Sequence, residues 1–274
     1  MTTTRAVVLA RGLGTRMRVD DPGIHLTPEQ QQAADAGVKA MFPVNGRPFL
    51  DYLLSALADA NVCDVALVVA PSHDGIRHYY TAMSPPRRVT LSFLVQDEPT
   101  GTAHALLSAE QWAAGEPFLA MNADNLYPVE ALVALASLDE PGLPAFDRDD
   151  LVRTSNIALE RIRAFALIDV DGDGYLKRIV EKPAGDEPWL LEAEGTSRGV
   201  SMNCWRFDSR IFAACREVPR SPRGEYEVPG AVAYAVARGV RFRAFRAAGP
   251  VLDLSRRADA VAVARRLSGV TPRP

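Results

Sequence analysis

The chain has 274 residues, 47% hydrophobic and 24% charged, proportions of a folded globular protein that exclude disorder as its main state. Its 31 basic and 34 acidic side chains leave a formal charge of −3, so nothing in the balance points to a nucleic-acid partner. The length lies near that at which one core stops growing, and no apolar run is long enough for a transmembrane helix, so one domain over 1–274 with no membrane partner is expected. The opening MTTTRAVVLA is no secretory signal, because its apolar run is short and leads straight into a glycine loop. Within it, residues 5–10 (RAVVLA) are continuously apolar, as in a strand buried on both faces. The loop occupies 11–15. Residues 18–37 are polar and irregular, with Pro22, Gly23, Pro28 and a glutamine run; they read equally as a mobile loop or as an insertion with a short helix at 28–36. Residues 47–60 set Phe49, Leu50, Leu53, Leu54 and Leu57 on one side of a helix, with Pro48 in its first turn. Strands at 64–70 and 89–95, a helix at 102–114 and a strand at 117–121 follow.

This alternation predicts an α/β fold, a Rossmann-like three-layer α/β/α sandwich around a mostly parallel mixed central sheet. Ligands of such sheets bind beyond the carboxyl ends of the strands. The 11–16 loop and the 122–125 segment both lie at such ends, which places them near one crevice. Further on, strands at 164–170 and 175–180 are predicted to pair across the DGDG turn at 171–174. A strand at 199–207, an alternating strand at 240–246, a closing helix at 256–267 and a frayed tail at 268–274 complete the chain. Asp171 and Asp173 lack the later ligands of a calcium loop and read as a solvated turn. Cys63, Cys204 and Cys215 fit neither a disulfide framework nor a zinc site; they read as small core fillers of a reduced, cytoplasmic protein.

The loop reads Leu9-Ala10-Arg11-Gly12-Leu13-Gly14-Thr15-Arg16-Met17. Its glycines allow backbone N–H groups to approach an anion, and Arg16 adds a forked, permanently charged donor for phosphate. It is not a P-loop, since Gly-Lys-Ser/Thr is missing, and its spacing is not that of a dinucleotide fingerprint. By itself, a ligand-free strand-to-helix turn would use the same glycines.

Its company is more specific. The loop resembles the Leu-Ala-Gly-Gly-x-Gly-Thr-Arg-Leu opening of the sugar-1-phosphate nucleotidyltransferases, of the glucose-1-phosphate thymidylyltransferase and uridylyltransferase kind. Their Pro-Lys-x-x-x-Pro-Val-x-Gly-x-Pro segment is matched by Val38-Lys39-Ala40-Met41-Phe42-Pro43-Val44-Asn45-Gly46-Arg47-Pro48. Gln96 to Ala103 resembles the base-reading Gln-x-x-x-x-Gly-Thr-Ala, and Ala123-Asp124-Asn125 resembles Gly-Asp-Asn. Glu181-Lys182-Pro183, Gly224-Glu225-Tyr226-Glu227 and the late aspartate Asp253 follow in family order.

The resemblance implies a GT-A-like nucleotidyltransferase fold, with a nucleotide-binding sublobe at 1–130 and a sugar-phosphate-binding sublobe at 131–260. It implies transfer of a nucleotidyl group from dTTP or UTP to a sugar 1-phosphate, giving a nucleotide sugar and pyrophosphate. The attacking phosphate oxygen is already an anion, so the chemistry calls for cations, a metal and no general base. Arg16, Lys39, Asp124 and Lys182 are the implied catalytic residues. Leu9, Ala10, Arg11, Gly12, Gly14, Thr15, Gln96, Gly101 and Thr102 would hold the nucleotide. Asn125, Glu181, Lys182, Asn203 and Trp205 would hold the acceptor. Asp124 and Asp253 would bind Mg²⁺, a hard cation suited to oxygen ligands. Relatives often form dimers or tetramers.

Each residue also has a plainer reading. Arg16 would serve as a surface ion pair, Asp124 as a helix cap, and Gln96 as the end of strand 89–95. His104 reads as structural. Several positions depart from the family. Arg11 replaces the first glycine of the pair, Ala123 the glycine before the metal aspartate, and Asn203 a glycine in the strand lining the sugar pocket. Val251 and Ser255 replace the usual tryptophan and glycine around Asp253, and 144–160 shows no family pattern. GTP or ATP as donor, a cyclitol phosphate or phosphocholine-like acceptor, and a non-catalytic nucleotide-sensing relative remain alternatives.

Overall fold

The computed structural model describes residues 2–21, 23–182 and 197–274. In chain order the strands are β1 (Arg5–Leu9), the two-residue hairpin β2 (Pro43–Val44) and β3 (Arg47–Pro48), β4 (Asp64–Val69), β5 (Thr90–Val95), β6 (Phe118–Asn122) and β7 (Asn125–Leu126). They continue as β8 (Gly142–Phe146), β9 (Ala166–Val170), β10 (Leu176–Glu181), β11 (Ser197–Ser201), β12 (Cys204–Phe207), β13 (Arg243–Ala247) and β14 (Leu252–Asp253). The main sheet runs β10-β9-β11-β8-β12-β6-β1-β4-β5, with β13 joined to β8. Its first half, β6-β1-β4-β5, is parallel, and β13 runs parallel to β8. The pairings of β9 to β12 are antiparallel.

The continuous apolar runs have their physical counterpart in two cores. Ala6 and Val8 of β1, with Val65, Leu67 and Val69 of β4, pack on Leu50, Leu53 and Leu57 of the helix Phe49–Asp59. The alternate residues Val7, Ala66 and Val68 face the opposite core, beneath the helices Thr102–Leu107, Arg210–Glu217 and Val228–Ala237. Helices on both faces of the sheet make the expected α/β/α sandwich.

Local departures have local causes. The helix expected at 102–114 is two pieces, Thr102–Leu107 and Glu110–Ala113, because Ser108 and Ala109 donate three residues back, to Ala105 and Leu106, and tighten the turn. The strand expected at 199–207 breaks at Met202–Asn203, where Asn203 takes φ 54°. Within 18–37, Thr27 and Gln30 form a reciprocal capping box that starts a helix over Pro28–Ala36. The tail is docked rather than frayed. The Arg273 amide donates to Ser55 Oγ (2.8 Å), and the Pro274 carbonyl accepts from the Arg87 amide (2.9 Å). Cys63 is exposed, so only Cys204 and Cys215 fill the core.

One buried cation bears on the site. Arg257, 3% exposed, donates to the Met17 carbonyl (3.0 Å), Asp20 (2.9 Å), Gln31 (3.0 Å) and Asp35 (2.8 Å). It thereby ties the short helix Thr15–Arg18, which carries Arg16, and the helix Pro28–Ala36 to the C-terminal segment.

Candidate active site

A cavity of about 360 Å³ opens beyond the carboxyl ends of β1, β5 and β6, where such sheets hold ligands. Its wall includes Leu9, Ala10, Arg11, Gly12, Gly14, Thr15, Arg16, Lys39, Gln96, Gly101, Thr102 and Asp124. The sheet ladder holds the rim: the Ala10, Gln96 and Ala123 amides donate to Val68, Val69 and Leu9 carbonyls at 2.8, 3.0 and 3.1 Å. The two loop glycines serve different ends. A Cβ on Gly12 would meet nothing within 4 Å, so the backbone there borders open cavity. Gly14, at φ +62°, lies so near Gly37 that a Cβ would sit 2.1 Å from its carbonyl oxygen; this glycine is required by the chain's own packing.

Arg11 neither stands free nor lies across the cavity. Its Nε and Nη2 donate to the Gln96 and Asp97 carbonyls at 3.2 and 3.0 Å, bridging the glycine loop to the segment after β5. The Gln96 amide donates to the Gly101 carbonyl at 3.0 Å, and Thr102 Oγ1 accepts from the Val228 amide at 2.9 Å. His104 lies outside the cavity walls, stacked on Tyr226 at 3.9 Å between ring centroids.

A second cavity, about 180 Å³, adjoins the first and shares Arg16, Thr102, Asp124, Arg223 and Glu225 with it. Its own lining includes Asn125, Arg161, Glu181, Lys182, Asn203 and Asp253. Asp124 pairs with Lys39 Nζ at 2.8 Å, whereas Arg16 has no ion-pair partner among the described residues. Lys182, at φ 46°, lies 3.7 Å from Glu181 Oε1, and Arg223 pairs with Glu227 and approaches Glu181 at 3.9 Å. Burial pushes the Glu181 carboxyl above its ordinary range against the pull of Lys182 and Arg223. Burial also lowers Lys182, with Arg223 and Arg16 repelling it and Glu181 opposing. Glu181 Oε2 and Asn203 Oδ1 are buried and have no hydrogen-bond partner among the described residues. Pro183 of the Glu-Lys-Pro match lies outside the described residues.

One acceptor candidate needs correction. Trp205 is 1% exposed and stacks on Phe207 at 5.7 Å in the core, lining neither cavity. The break at Asn203 starts β12 with Cys204 toward one core, and the alternation then turns Trp205 into the other. Asn125 lines the second cavity, and its side-chain amide donates one hydrogen bond, to Asp253 Oδ1 at 3.1 Å.

Asp253 is the most constrained group in the site, 2% exposed on β14 opposite Asn125. Its carboxylate also accepts from Ser255 Oγ (2.8 Å) and pairs with Arg161. Arg161, Asn156 and Arg223 carried no signal in the sequence. Asn156 belongs to the stretch 144–160 without family pattern, Arg161 directly follows it, and Arg223 sits just ahead of the Gly-Glu-Tyr-Glu match. Burial, then the nearby charge of Asp124, raises the Asp253 carboxyl from 3.8 to about 6, with Arg161 opposing. The native state therefore holds this proton more tightly than the unfolded chain. The stability it lends is full below 3.8 and is lost as pH rises through about 6. Thermal melts should show wild type losing stability relative to Asp253→Asn as pH rises from about 4 to about 6.5; parallel profiles would contradict this.

The donor set can be judged for a metal on this chemistry. The charge of Asp124 is one of the causes that raise Asp253, so a cation near both carboxylates would relieve that repulsion, and their hard oxygens suit Mg²⁺, which takes its other ligands from water and phosphate. No group of three or more His, Cys, Asp or Glu side chains placed to hold a metal ion is present among the described residues. The carboxylate oxygens of Asp124 and Asp253 suit Mg²⁺ better than a metal needing thiolates or imidazoles. No helix among the described residues is long and apolar enough to cross a membrane.

A family model described as nucleotidyl transferase matches residues 5–250. The UTP–glucose-1-phosphate uridylyltransferase AglF of Haloferax volcanii is 28% identical over 251 residues, 91% of this chain and 90% of that protein. A glucose-1-phosphate thymidylyltransferase of Streptomyces antibioticus is 27% identical over 272 residues, 95% of this chain and 65% of that longer protein. A crystal structure of UDP-glucose pyrophosphorylase complexed with UDP-glucose superposes with a TM-score of 0.74 at 18% identity, covering 98% of this chain and all of that one, a likeness of fold.

Proposed function

The chain belongs to the nucleotidyl transferase family, and from that premise we propose that it moves a nucleotidyl group from dTTP or UTP to a sugar 1-phosphate with the help of Mg²⁺. The observation that carries this is the junction of two cavities at Asp124, one bounded by the glycine loop and Gln96, the other by Glu181, Lys182 and Asn203. A transfer between two phosphorylated substrates needs such a pair of chambers sharing one wall.

In this reading residues 1–130 hold the nucleotide and 131–260 the acceptor. Gly12 leaves room for close approach to the nucleotide, and Gln96, with one amide edge committed to Gly101, offers its oxygen to a base N–H. Arg16 and Lys39 face the triphosphate. Lys182 and Arg223 hold the acceptor phosphate, and Glu181 Oε2 and Asn203 Oδ1 accept hydrogen bonds from acceptor hydroxyls. An oxygen of the acceptor phosphate attacks the α-phosphorus as the bond to the bridging oxygen breaks, and pyrophosphate leaves with that electron pair. Mg²⁺, held by Asp124 and Asp253, would neutralise phosphate charge. No general base is needed, because the nucleophile is already ionised.

The unpartnered acceptors in the second cavity favour a polyhydroxylated substrate, and a cyclitol phosphate meets that requirement as a sugar does. A phosphocholine-like acceptor loses its aromatic wall with Trp205 in the core. The names of the relatives, a uridylyltransferase and a thymidylyltransferase, support a pyrimidine donor. Pyrophosphate release should be measured with Mg²⁺, dTTP, UTP, GTP, ATP and CTP against sugar 1-phosphates, cyclitol phosphates and phosphocholine. Release that requires dTTP or UTP together with a sugar 1-phosphate is the expected result. Release only with GTP or ATP, or only with a cyclitol phosphate, would correct the donor or the acceptor. Silence across every pair in folded, nucleotide-binding protein would overturn the proposal.

A further inference from the structure

Asp253 is held by more groups than a metal-binding carboxylate needs. A carboxylate has about four lone-pair positions, two on each oxygen. Both positions on Oδ1 are taken, by the Asn125 amide (3.1 Å) and the Ser255 hydroxyl (2.8 Å). One position on Oδ2 is taken by the Arg161 guanidinium. Among the described residues a single lone pair, on Oδ2, is left for any cation.

The carboxylate also has little freedom to turn. The Asn156 side-chain amide grips the backbone of the same residue from both sides, accepting from the Asp253 N–H and donating to its carbonyl, each at 2.8 Å. Arg161 is fixed in turn by a second carboxylate, Asp259, at 2.6 Å. The other oxygen of Asp259 accepts from the Ser255 and Arg256 amides, both at 2.9 Å. Segment 155–161 and the C-terminal segment therefore form one cradle around Asp253. The forked guanidinium of Arg161 is suited to bridging the two carboxylates.

We infer that Asn125, Ser255 and Arg161 confine Asp253 to one-oxygen coordination and so make the site selective for a small octahedral cation over Ca²⁺. Mg²⁺ is satisfied by single oxygens from one or two carboxylates plus water and phosphate, whereas Ca²⁺ takes six to eight oxygens and gains from carboxylates bound through both. This inference rests on the reading of Asp124 and Asp253 as the cation-holding pair. Arg161 and Ser255 are positioning residues in it, acting through Asp253.

The test is displacement of Mn²⁺ from the full chain with an α,β-methylene nucleoside triphosphate analogue, followed by electron paramagnetic resonance, with Mg²⁺ and Ca²⁺ as competitors. Ser255→Gly is the deciding variant. It restores one lone pair on Oδ1 without altering charge and installs the residue usual at this place in the resembled family. It should raise the affinity for Ca²⁺ relative to Mg²⁺ about tenfold, the scale of outer-shell effects on metal sites. Arg161→Met, which frees the second position on Oδ2, should shift the ratio in the same direction. An unchanged ratio in Ser255→Gly overturns the inference. Loss of Mn²⁺ binding in that variant overturns it too, because Ser255 would then build the site rather than limit it. Failure of the wild-type chain to bind Mn²⁺ would instead remove the cation reading on which the inference stands.

Discussion

Asp124→Asn is expected to lower nucleotidyl transfer about 10³-fold without unfolding the chain. Asp124 stands where the two cavities meet, and its carboxylate pairs with Lys39 at 2.8 Å. Asparagine keeps the shape and removes the charge. Two things follow under the proposed function: the proposed cation would lose one of its two carboxylates, and Lys39 loses its ion-pair partner at the junction. Metal-ion catalysis supplies several kcal/mol of charge stabilisation, and about 4 kcal/mol corresponds to three decades in rate. Side-chain exposures of 18% for Lys39 and 23% for Asp124 keep the structural cost of the lost ion pair small. Pyrophosphate release as a function of Mg²⁺ concentration, together with a thermal melt, checks both halves. Normal Mg²⁺-dependent turnover in the variant would remove Asp124 from the chemistry.

Gly101→Ala should be strongly destabilising through one methyl group in the first cavity. Gly101 has φ +124°, and a Cβ there would lie 2.3 Å from the Tyr226 carbonyl oxygen and 2.6 Å from its nitrogen. Tyr226 cannot retreat easily, because its amide donates to the Thr100 carbonyl (2.9 Å) and its carbonyl accepts from the Ala103 amide (2.8 Å). Backbone strain and overpacking together should cost about 4 kcal/mol, a fall in Tm of about 10 °C for a chain of this size. The Gly101 carbonyl also receives the Gln96 side-chain amide at 3.0 Å, so displacing it turns the glutamine proposed to read the base. The nucleotide KM should rise about tenfold, the effect of losing one or two kcal/mol of contact. Gly12→Ala is the control, since its methyl group would meet nothing within 4 Å. That variant should melt near the wild type, with any effect confined to the nucleotide KM. Equal melting temperatures for Gly101→Ala and wild type would mean that the Gly101–Tyr226 approach is not tight.

Much of this molecule follows from short-range pattern. A strand buried on both faces must be apolar at every position, so 5–10 and 64–70 announce the parallel half of the sheet without any knowledge of partners. The motif order placed Arg16, Lys39, Asp124 and Lys182 in one group, and the fold gathers them around two adjoining cavities. That grouping came from the family resemblance, since each residue by itself also reads as an ordinary ion pair, loop or cap.

Tertiary packing decided the rest. Nothing local marks the break at Met202–Asn203, yet side chains alternate with a period of two, so the break sets which face each later residue takes. Trp205 consequently belongs to the core and Asn203 to the cavity. Arg11 stands in a phosphate-like loop but spends its donors on backbone carbonyls 85 and 86 residues away. Arg161 and Asp253 are 92 residues apart, and neither stretch of sequence contains a sign of the other. A hydrogen-bond partner is chosen by proximity in space, and proximity between distant segments exists only once the sheet has closed and the helices have packed on it.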